Sequence, residues 1–281
     1  MSYKHELTGA VGYPIRENPT GIMLEAAYKA MGLHWRYQLL EVPEAALAEA
    51  VDAIRVLGFV GMNFTIPHKV NVLKHIDEVS KEAEIIGAVN TVWRKGKKLI
   101  GENTDGKGFV RALEEANVSP AAHHAVILGA GGAARAISVE LALAGTKVIT
   151  IVNRSEERGM ALVDRLNEKT KTRAEFVQWR SDYSVPEDTD ILVNATSIGL
   201  YPEVTDKPDL VYDSIKKTMV VCDVIPNPPN TLFLQEAHTR GAKTLDGLGM
   251  LVYQGAIAVK LWSGQDPPTD VMKAELERLF S

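Results

Sequence analysis

Three short clusters place polar side chains where a packed core has no use for them. They are Asn63-Phe64-Thr65-Ile66-Pro67-His68-Lys69, Gly87-Ala88-Val89-Asn90-Thr91 and Glu102-Asn103-Thr104-Asp105-Gly106. Each falls at an expected strand end or helix start, where α/β proteins gather their ligands. Lys69 and Asp105 are the pair that invites chemistry. A lysine amine can take the proton of an alcohol if its surroundings bring its pKa toward the working pH. A carboxylate beside it would by itself raise that pKa, so Asp105 either orients Lys69 or shares the proton with it as a coupled pair. The competing reading is a structural ion pair that caps a helix.

A second constellation is Gly129-Ala130-Gly131-Gly132-Ala133-Ala134, which follows an apolar strand and opens a helix. It fits G-x-G-x-x-A: the first glycine permits a tight turn, the second lets a pyrophosphate approach the backbone, and a small third position packs helix on strand. The phosphates would meet free N–H groups at the helix N-terminus. At the end of the next strand a site for NAD usually carries Asp or Glu. This chain has Asn153-Arg154-Ser155, with Arg158 one helical turn on. A guanidinium suits a 2′-phosphate, so the pattern predicts NADP; a solvated helix start is the competing reading of the two arginines.

The elements that must position these residues alternate. Leu7 to Gly12, Trp35 to Val42 and Phe59 to Phe64 read as strands. Ile22 to Met31 and Pro43 to Leu57 read as helices, the second with proline at its start and Gly58 at its end. Thr91 to Arg94 and Lys98 to Glu102 flank Lys95-Gly96-Lys97 as a hairpin, and a helix follows from Thr104 to about Ala116. The loop Asn117 to His123 leads into a second unit. There Ala125 to Leu128 is a buried strand, followed by a helix from Gly131 to Ala144 and strands at Lys147 to Val152, Ile191 to Asn194 and Val220 to Val224. The last helices run from Leu248 to Trp262 and from Pro268 to Phe280. The expected class is α/β with two domains, one of them a doubly wound, Rossmann-type domain with a parallel sheet.

Composition narrows the partners. The chain has 281 residues and a formal net charge of -5, with no basic run; nothing favours nucleic acid or an acidic membrane surface. No apolar run is long enough to span a bilayer, and the first residues lack the apolar stretch of a signal peptide. The single cysteine, Cys222, sits in an apolar run and reads as a buried thiol in a reducing cytoplasm. No His/Cys/Asp cluster has metal-ligand spacing. His123, His124 and His238 read as surface or linker residues.

These clusters in this order, with Asn194-Ala195-Thr196-Ser197-Ile198-Gly199 and Asp246-Gly247-Leu248-Gly249-Met250-Leu251-Val252-Tyr253-Gln254-Gly255-Ala256, resemble the shikimate dehydrogenase family over nearly the whole chain. The resemblance implies a substrate domain from residues 1–104 plus 241–281, around an NADP domain from 105–240. It implies reversible, NADP-dependent oxidation of a ring hydroxyl of a cyclic polyol acid, shikimate to 3-dehydroshikimate, by a monomer or homodimer; a dehydrogenase of quinate or a related cyclic polyol, and a non-catalytic NADP-binding regulatory module, are the alternatives. Lys69 and Asp105 become the catalytic pair. Asn18, Thr20, Thr65, Asn90 and Gln254 become substrate-binding residues. Gly129, Ala130, Gly131, Gly132, Ala133, Asn153, Arg154, Ser155, Arg158, Thr196, Gly247 and Met250 become cofactor-binding residues. With those roles filled, His68 is expected to pack or orient.

One region departs from the family pattern. Where the family usually has Ser-x-Ser-Pro, the two serine hydroxyls holding the substrate carboxylate, this chain has Asn18 and Thr20 for the serines and Gly21 for the proline. Pro226 stands where a tyrosine hydroxyl is usual. Losing one donor to a charged group costs ~1.5–3 kcal/mol. Arg16 would compensate by turning inward; otherwise Arg16 and Glu17 are a solvated loop tip.

Overall fold

The computed structural model describes residues 3–280. The chain forms two compact units: one runs to Gly108 and resumes at Val252–Leu279, and the other is Phe109–Leu251.

The first unit contains β1 (Glu6–Gly12), α1 (Thr20–Ala30), β2 (Trp35–Glu41), α2 (Leu47–Leu57), β3 (Gly61–Phe64), β4 (Glu78–Val79), α3 (Lys81–Ile86), β5 (Thr91–Lys95), β6 (Lys98–Glu102) and the start of α4 (Thr104–Glu115). Its sheet has the order β2-β1-β3-β5-β6-β4. β1 runs parallel to β2 and β3. β5 is antiparallel to β3 and to β6, because the hairpin turns the chain back at Gly96, whose φ of 63° suits glycine. α2 buries Leu47, Val51 and Ile54 on one stripe, the spacing of a surface helix. Gly58 ends it in the left-handed region. The helix expected from Pro43 begins instead with a 3-10 turn, Glu44–Ala46. The short α3, capped by the Ser80 side chain, carries the chain toward Asn90.

The second unit contains β7 (His124–Leu128), α5 (Gly132–Ala144), β8 (Val148–Asn153), α6 (Glu156–Lys169), β9 (Arg173–Gln178), β10 (Ile191–Asn194), β11 (Val220–Asp223), α7 (Leu232–Thr239) and β12 (Lys243–Leu245). The sheet order is β12-β11-β10-β7-β8-β9, and every pairing is parallel. The chain builds outward from β7 to β9 and then returns to β10 on the other side of β7. That reversal opens a crevice at the carboxyl ends of β7 and β10, as doubly wound sheets do. His124, expected at the surface or in a linker, is instead buried at the start of β7. Its ring is satisfied by the Thr150 hydroxyl at 2.8 Å and by Asp188 at 3.2 Å. Cys222 is buried in β11, which pushes its thiol pKa well up.

Two helices close the chain, α8 (Gly247–Ser263) and α9 (Thr269–Leu279). The chain passes between the units inside α4 and inside α8. In the first unit Trp262 of α8 donates to the Val92 carbonyl at 2.9 Å. A side chain on Gly61 would collide with that indole, 2.1 Å from its Nε1, so the glycine in β3 is what admits the tryptophan. No helix of the described residues is long and apolar enough to cross a membrane.

Candidate active site

In the first unit, Lys69, Asn90, Thr104 and Asp105 are bonded directly to one another. Lys69 lies beyond β3, and its Nζ donates to Asp105 Oδ2 at 2.6 Å. Asn90 Nδ2 donates to the other carboxylate oxygen, Oδ1, at 2.8 Å and to Thr104 Oγ1 at 3.0 Å. Asn90 Oδ1 in turn accepts from the Thr104 N–H at 2.7 Å. The start of α4 therefore seats on Asn90, and the Asp105 carboxylate is gripped at both oxygens.

The backbone is fixed just as closely. Val89 N–H donates to the Lys69 carbonyl at 2.7 Å and Phe64 N–H to the Asn90 carbonyl at 2.7 Å. The Asp105 N–H donates to Asn103 Oδ1, and Asn103 Nδ2 to the Ala88 carbonyl. Lys69 keeps 24% of its side chain exposed against 10% for Asp105. The amine is thus the member a substrate can reach, and the carboxylate is its anchor. Buried polar groups pay for desolvation unless bonded, so this network fixes one arrangement.

Behind the centre lies a second buried pair that the sequence analysis assigned no role. Tyr37 OH donates to Asn63 Oδ1 at 2.9 Å, and Asn63 Nδ2 donates to the Asn90 carbonyl at 3.3 Å. Burial raises the Tyr37 phenol well above its usual pKa, so it stays a neutral donor. Asn63 belonged to a recognised cluster; Tyr37, one inward residue of β2, carried no local signal. His68 is fully buried, with Nε2 on the Val42 carbonyl at 2.7 Å, a packing and orienting contact.

The other substrate-binding candidates of this unit are spread over separate elements. Thr20 is buried at the first residue of α1. Its N–H donates to Asn18 Oδ1 at 2.9 Å. Thr65 is half-buried just beyond β3, and Gln254 is buried in α8. Arg16 does not turn inward: it is 84% exposed and pairs with Glu41 at 3.2 Å.

In the second unit the glycine turn is open. Gly129 has φ of 107°, and a side chain there would also press on the Ala195 carbonyl. A Cβ at Gly131 or Gly132 would meet nothing within 4 Å. α5 starts at Gly132 with no side-chain cap, so its first N–H groups face open space, which is what a pyrophosphate needs. Ala130 and Ala134 are buried and Ala133 half-buried.

Beyond β8, Asn153 Nδ2 donates to the Ser155 carbonyl, and Ser155 caps α6 by accepting from Arg158 N–H. Arg154 is exposed, lies over the Trp179 ring with Cζ 5.7 Å from its centroid, and reaches Asp209 at 3.6 Å. Arg158 is exposed beside it. An exposed guanidinium at the end of β8, with an open glycine turn at the end of β7, fits a dinucleotide with a 2′-phosphate. Thr196 donates to Asn194 Oδ1 at 2.6 Å. Gly247 is held to glycine by the Ile225 carbonyl, 2.5 Å from where its Cβ would sit, and Met250 is half-buried in α8. Among the described residues no group of His, Cys, Asp and Glu could hold a metal ion.

Family models match in chain order: the shikimate dehydrogenase substrate binding domain at residues 10–92, shikimate / quinate 5-dehydrogenase at 112–231, and the shikimate 5'-dehydrogenase C-terminal domain at 247–277. A shikimate dehydrogenase (NADP(+)) of Desulforamulus reducens is 41% identical over 278 residues, covering 98% of this chain and 96% of that one. The chain belongs to the shikimate dehydrogenase family. Among solved structures, a shikimate dehydrogenase in complex with NADP+ superposes with a TM-score of 0.92 at 39% identity, covering 100% of this chain and 98% of the other. The ligand-free 5-ketofructose reductase of Gluconobacter sp. strain CHM43 superposes with a TM-score of 0.95 at 48% identity, covering 99% and 100%. The family's two-domain α/β plan is the one described above, with the all-parallel sheet in its Rossmann-like unit.

Proposed function

We propose that this chain is an NADP-dependent dehydrogenase of the shikimate/quinate type that interconverts shikimate and 3-dehydroshikimate. The observation that carries this reading is the Lys69–Asp105–Asn90 centre, a reachable amine anchored by a doubly held carboxylate. Bound in the second unit, NADP would supply the hydride acceptor as the alcohol's C–H bond breaks, and NADPH the hydride donor in the reverse direction. Lys69 takes the hydroxyl proton as that bond breaks, and delivers it in the reverse direction. Asp105 keeps the amine aimed, while Asn90 holds Asp105 in place. Asn90, Thr65 and Gln254 bind hydroxyl groups of the ring, and Asn18 and Thr20 take its far end. The substrate-binding role falls to the first unit, which runs to Gly108 and resumes at Val252–Leu279, and the cofactor role to the second, Phe109–Leu251, whose sheet takes in β12 beyond the boundary at 240 that the resemblance implies.

In the second unit, Gly129 to Ala133 and the start of α5 hold the pyrophosphate. Arg154, with Arg158, reads the 2′-phosphate. The family relatives quoted above support NADP by name, and the exposed Arg154 supports it by chemistry. The protein works on a small molecule, and the one buried thiol suits a cytoplasmic location. The Gluconobacter relative is named for a keto sugar, so hydride chemistry on this fold is not tied to a ring acid.

Initial rates of NADP+ and NAD+ reduction with shikimate and quinate test the reading. Turnover of shikimate with a clear preference for NADP+ is expected. Tight NADP+ binding with no turnover of any polyol would leave the non-catalytic NADP-binding module instead.

A further inference from the structure

The loop from β1 into α1 is poorly suited to an anion. Asn18 spends its amide oxygen on the Thr20 N–H, which leaves the Nδ2 group as its donor. The Thr20 hydroxyl is buried at the head of α1 and makes no hydrogen bond among the described residues. Arg16, the one cation of the loop, faces solvent on Glu41. Glu17 is exposed beside it. Arg36 of β2 pairs with Glu25 of α1, so the cations of the loop and of β2 are each matched by a carboxylate. Lys69 is neutralised by Asp105 and Lys107 by Glu102.

A carboxylate leaving water is costly to bury unless a cation or several donors offset its charge. Here it would meet one neutral amide, one hydroxyl and a loop cation already turned to Glu41. An uncharged hydroxyl or carbonyl costs far less to desolvate. It is also matched by a threonine hydroxyl, which donates and accepts, and by an amide donor.

A second observation shows that the loop is rebuilt together with its support. Gly21 stands where the family pattern has proline. A Cβ at this position would already lie 3.0 Å from the Tyr37 ring, and that ring donates to Asn63 behind the catalytic centre. Gly21 and Tyr37 therefore fit one another, and a larger residue at position 21 would need the Tyr37 ring to give way.

We propose that this enzyme also reduces an uncharged polyhydroxy ketone with NADPH, and that Asn18 and Thr20 set that substrate class at the end the family's serines otherwise hold. The inference rests on the dehydrogenase reading above. The step balances as ketone plus NADPH plus a proton giving secondary alcohol plus NADP+. Hydride adds to the carbonyl carbon, and the carbonyl oxygen takes the proton from the Lys69–Asp105 pair.

The test measures NADPH oxidation by the full chain with 3-dehydroshikimate and with 5-keto-D-fructose as the uncharged probe, for the wild type and for Asn18→Ser. A serine hydroxyl can also accept from the Thr20 N–H two residues on, so the variant should keep the wild-type melting midpoint. The wild type is expected to reduce the keto sugar. Asn18→Ser is expected to raise kcat/KM on 3-dehydroshikimate about tenfold and to lower it on the keto sugar. Reduction of 3-dehydroshikimate alone overturns the inference and leaves the dehydrogenase reading standing. Bound NADPH with neither ketone reduced removes the dehydrogenase reading and the inference with it. Equal effects of Asn18→Ser on both ketones overturn the assignment of Asn18 to substrate class.

Discussion

In the first unit the reacting groups are held by other side chains, whereas in the second the phosphate cradle is bare backbone. Asp105 is gripped by Lys69 and Asn90, Asn90 by Thr104, and Asp105 N–H by Asn103. Gly131 and Gly132 touch nothing where a side chain would be, and Arg154 sits exposed over Trp179. The difference follows from the tasks. Proton transfer needs a side chain held in position before the substrate arrives, since small displacements of a reacting group are costly. A pyrophosphate needs only a row of N–H groups with no Cβ in the way.

The sharpest way to break this comparison is Lys69→Ala. It should lower kcat by about 10²–10⁴-fold with little change in KM, and leave NADP+ affinity, measured by calorimetry, as in the wild type. A nearly normal kcat would remove Lys69 from the chemistry. Loss of NADP+ affinity as well would erase the division between the units.

Asp223 is a buried carboxylate of the second unit. Asp223 accepts from Thr231, Asn194 and the Ile225 N–H. Burial nevertheless raises its pKa from 3.8 to about 6, the bonds opposing the shift. The folded value lies above the unfolded one, so its contribution to stability is fully present below about pH 4 and is lost as pH rises through about 6. The loss amounts to roughly 3 kcal/mol. In urea titrations between those limits, the stability of Asp223→Asn relative to the wild type should rise with pH by about that amount. A difference that stays flat with pH would show that Asp223 does not titrate there.

Arg154→Ala sharpens the comparison from the exposed side. NADP+ binding should weaken about tenfold to a hundredfold, the cost of one charged hydrogen-bonding partner, and NAD+ binding should hardly change. Equal losses for both cofactors would mean that Arg154 does not read the 2′-phosphate.

Much of this was legible in the chain. Gly129 to Ala134 announced a strand–turn–helix, because a tight turn, a close approach and a close packing each demand a small residue at a fixed spacing. The hairpin at Gly96 and the helix stop at Gly58 were local in the same way. Less visible were α6, β9 and α7. α6 presents only Gly159, Leu162, Val163 and Leu166 to the interior, a stripe too narrow to stand out among its charges. His124 was misplaced because a histidine at the start of a strand shows no sign of which face it joins; β7 turns it inward to Thr150.

The sequence by itself determined the family, the parallel cofactor unit and the identity of the Lys69, Asn90 and Asp105 clusters, since these rest on residue types at short, fixed separations. Only the tertiary structure decided that Asn90 bridges Thr104 and Asp105, that Tyr37 and Asn63 stand behind them, and that Arg16 turns away toward Glu41. Those contacts join residues 14 to 26 positions apart, and which partners meet depends on how sheet and helices pack, a choice no local pattern encodes.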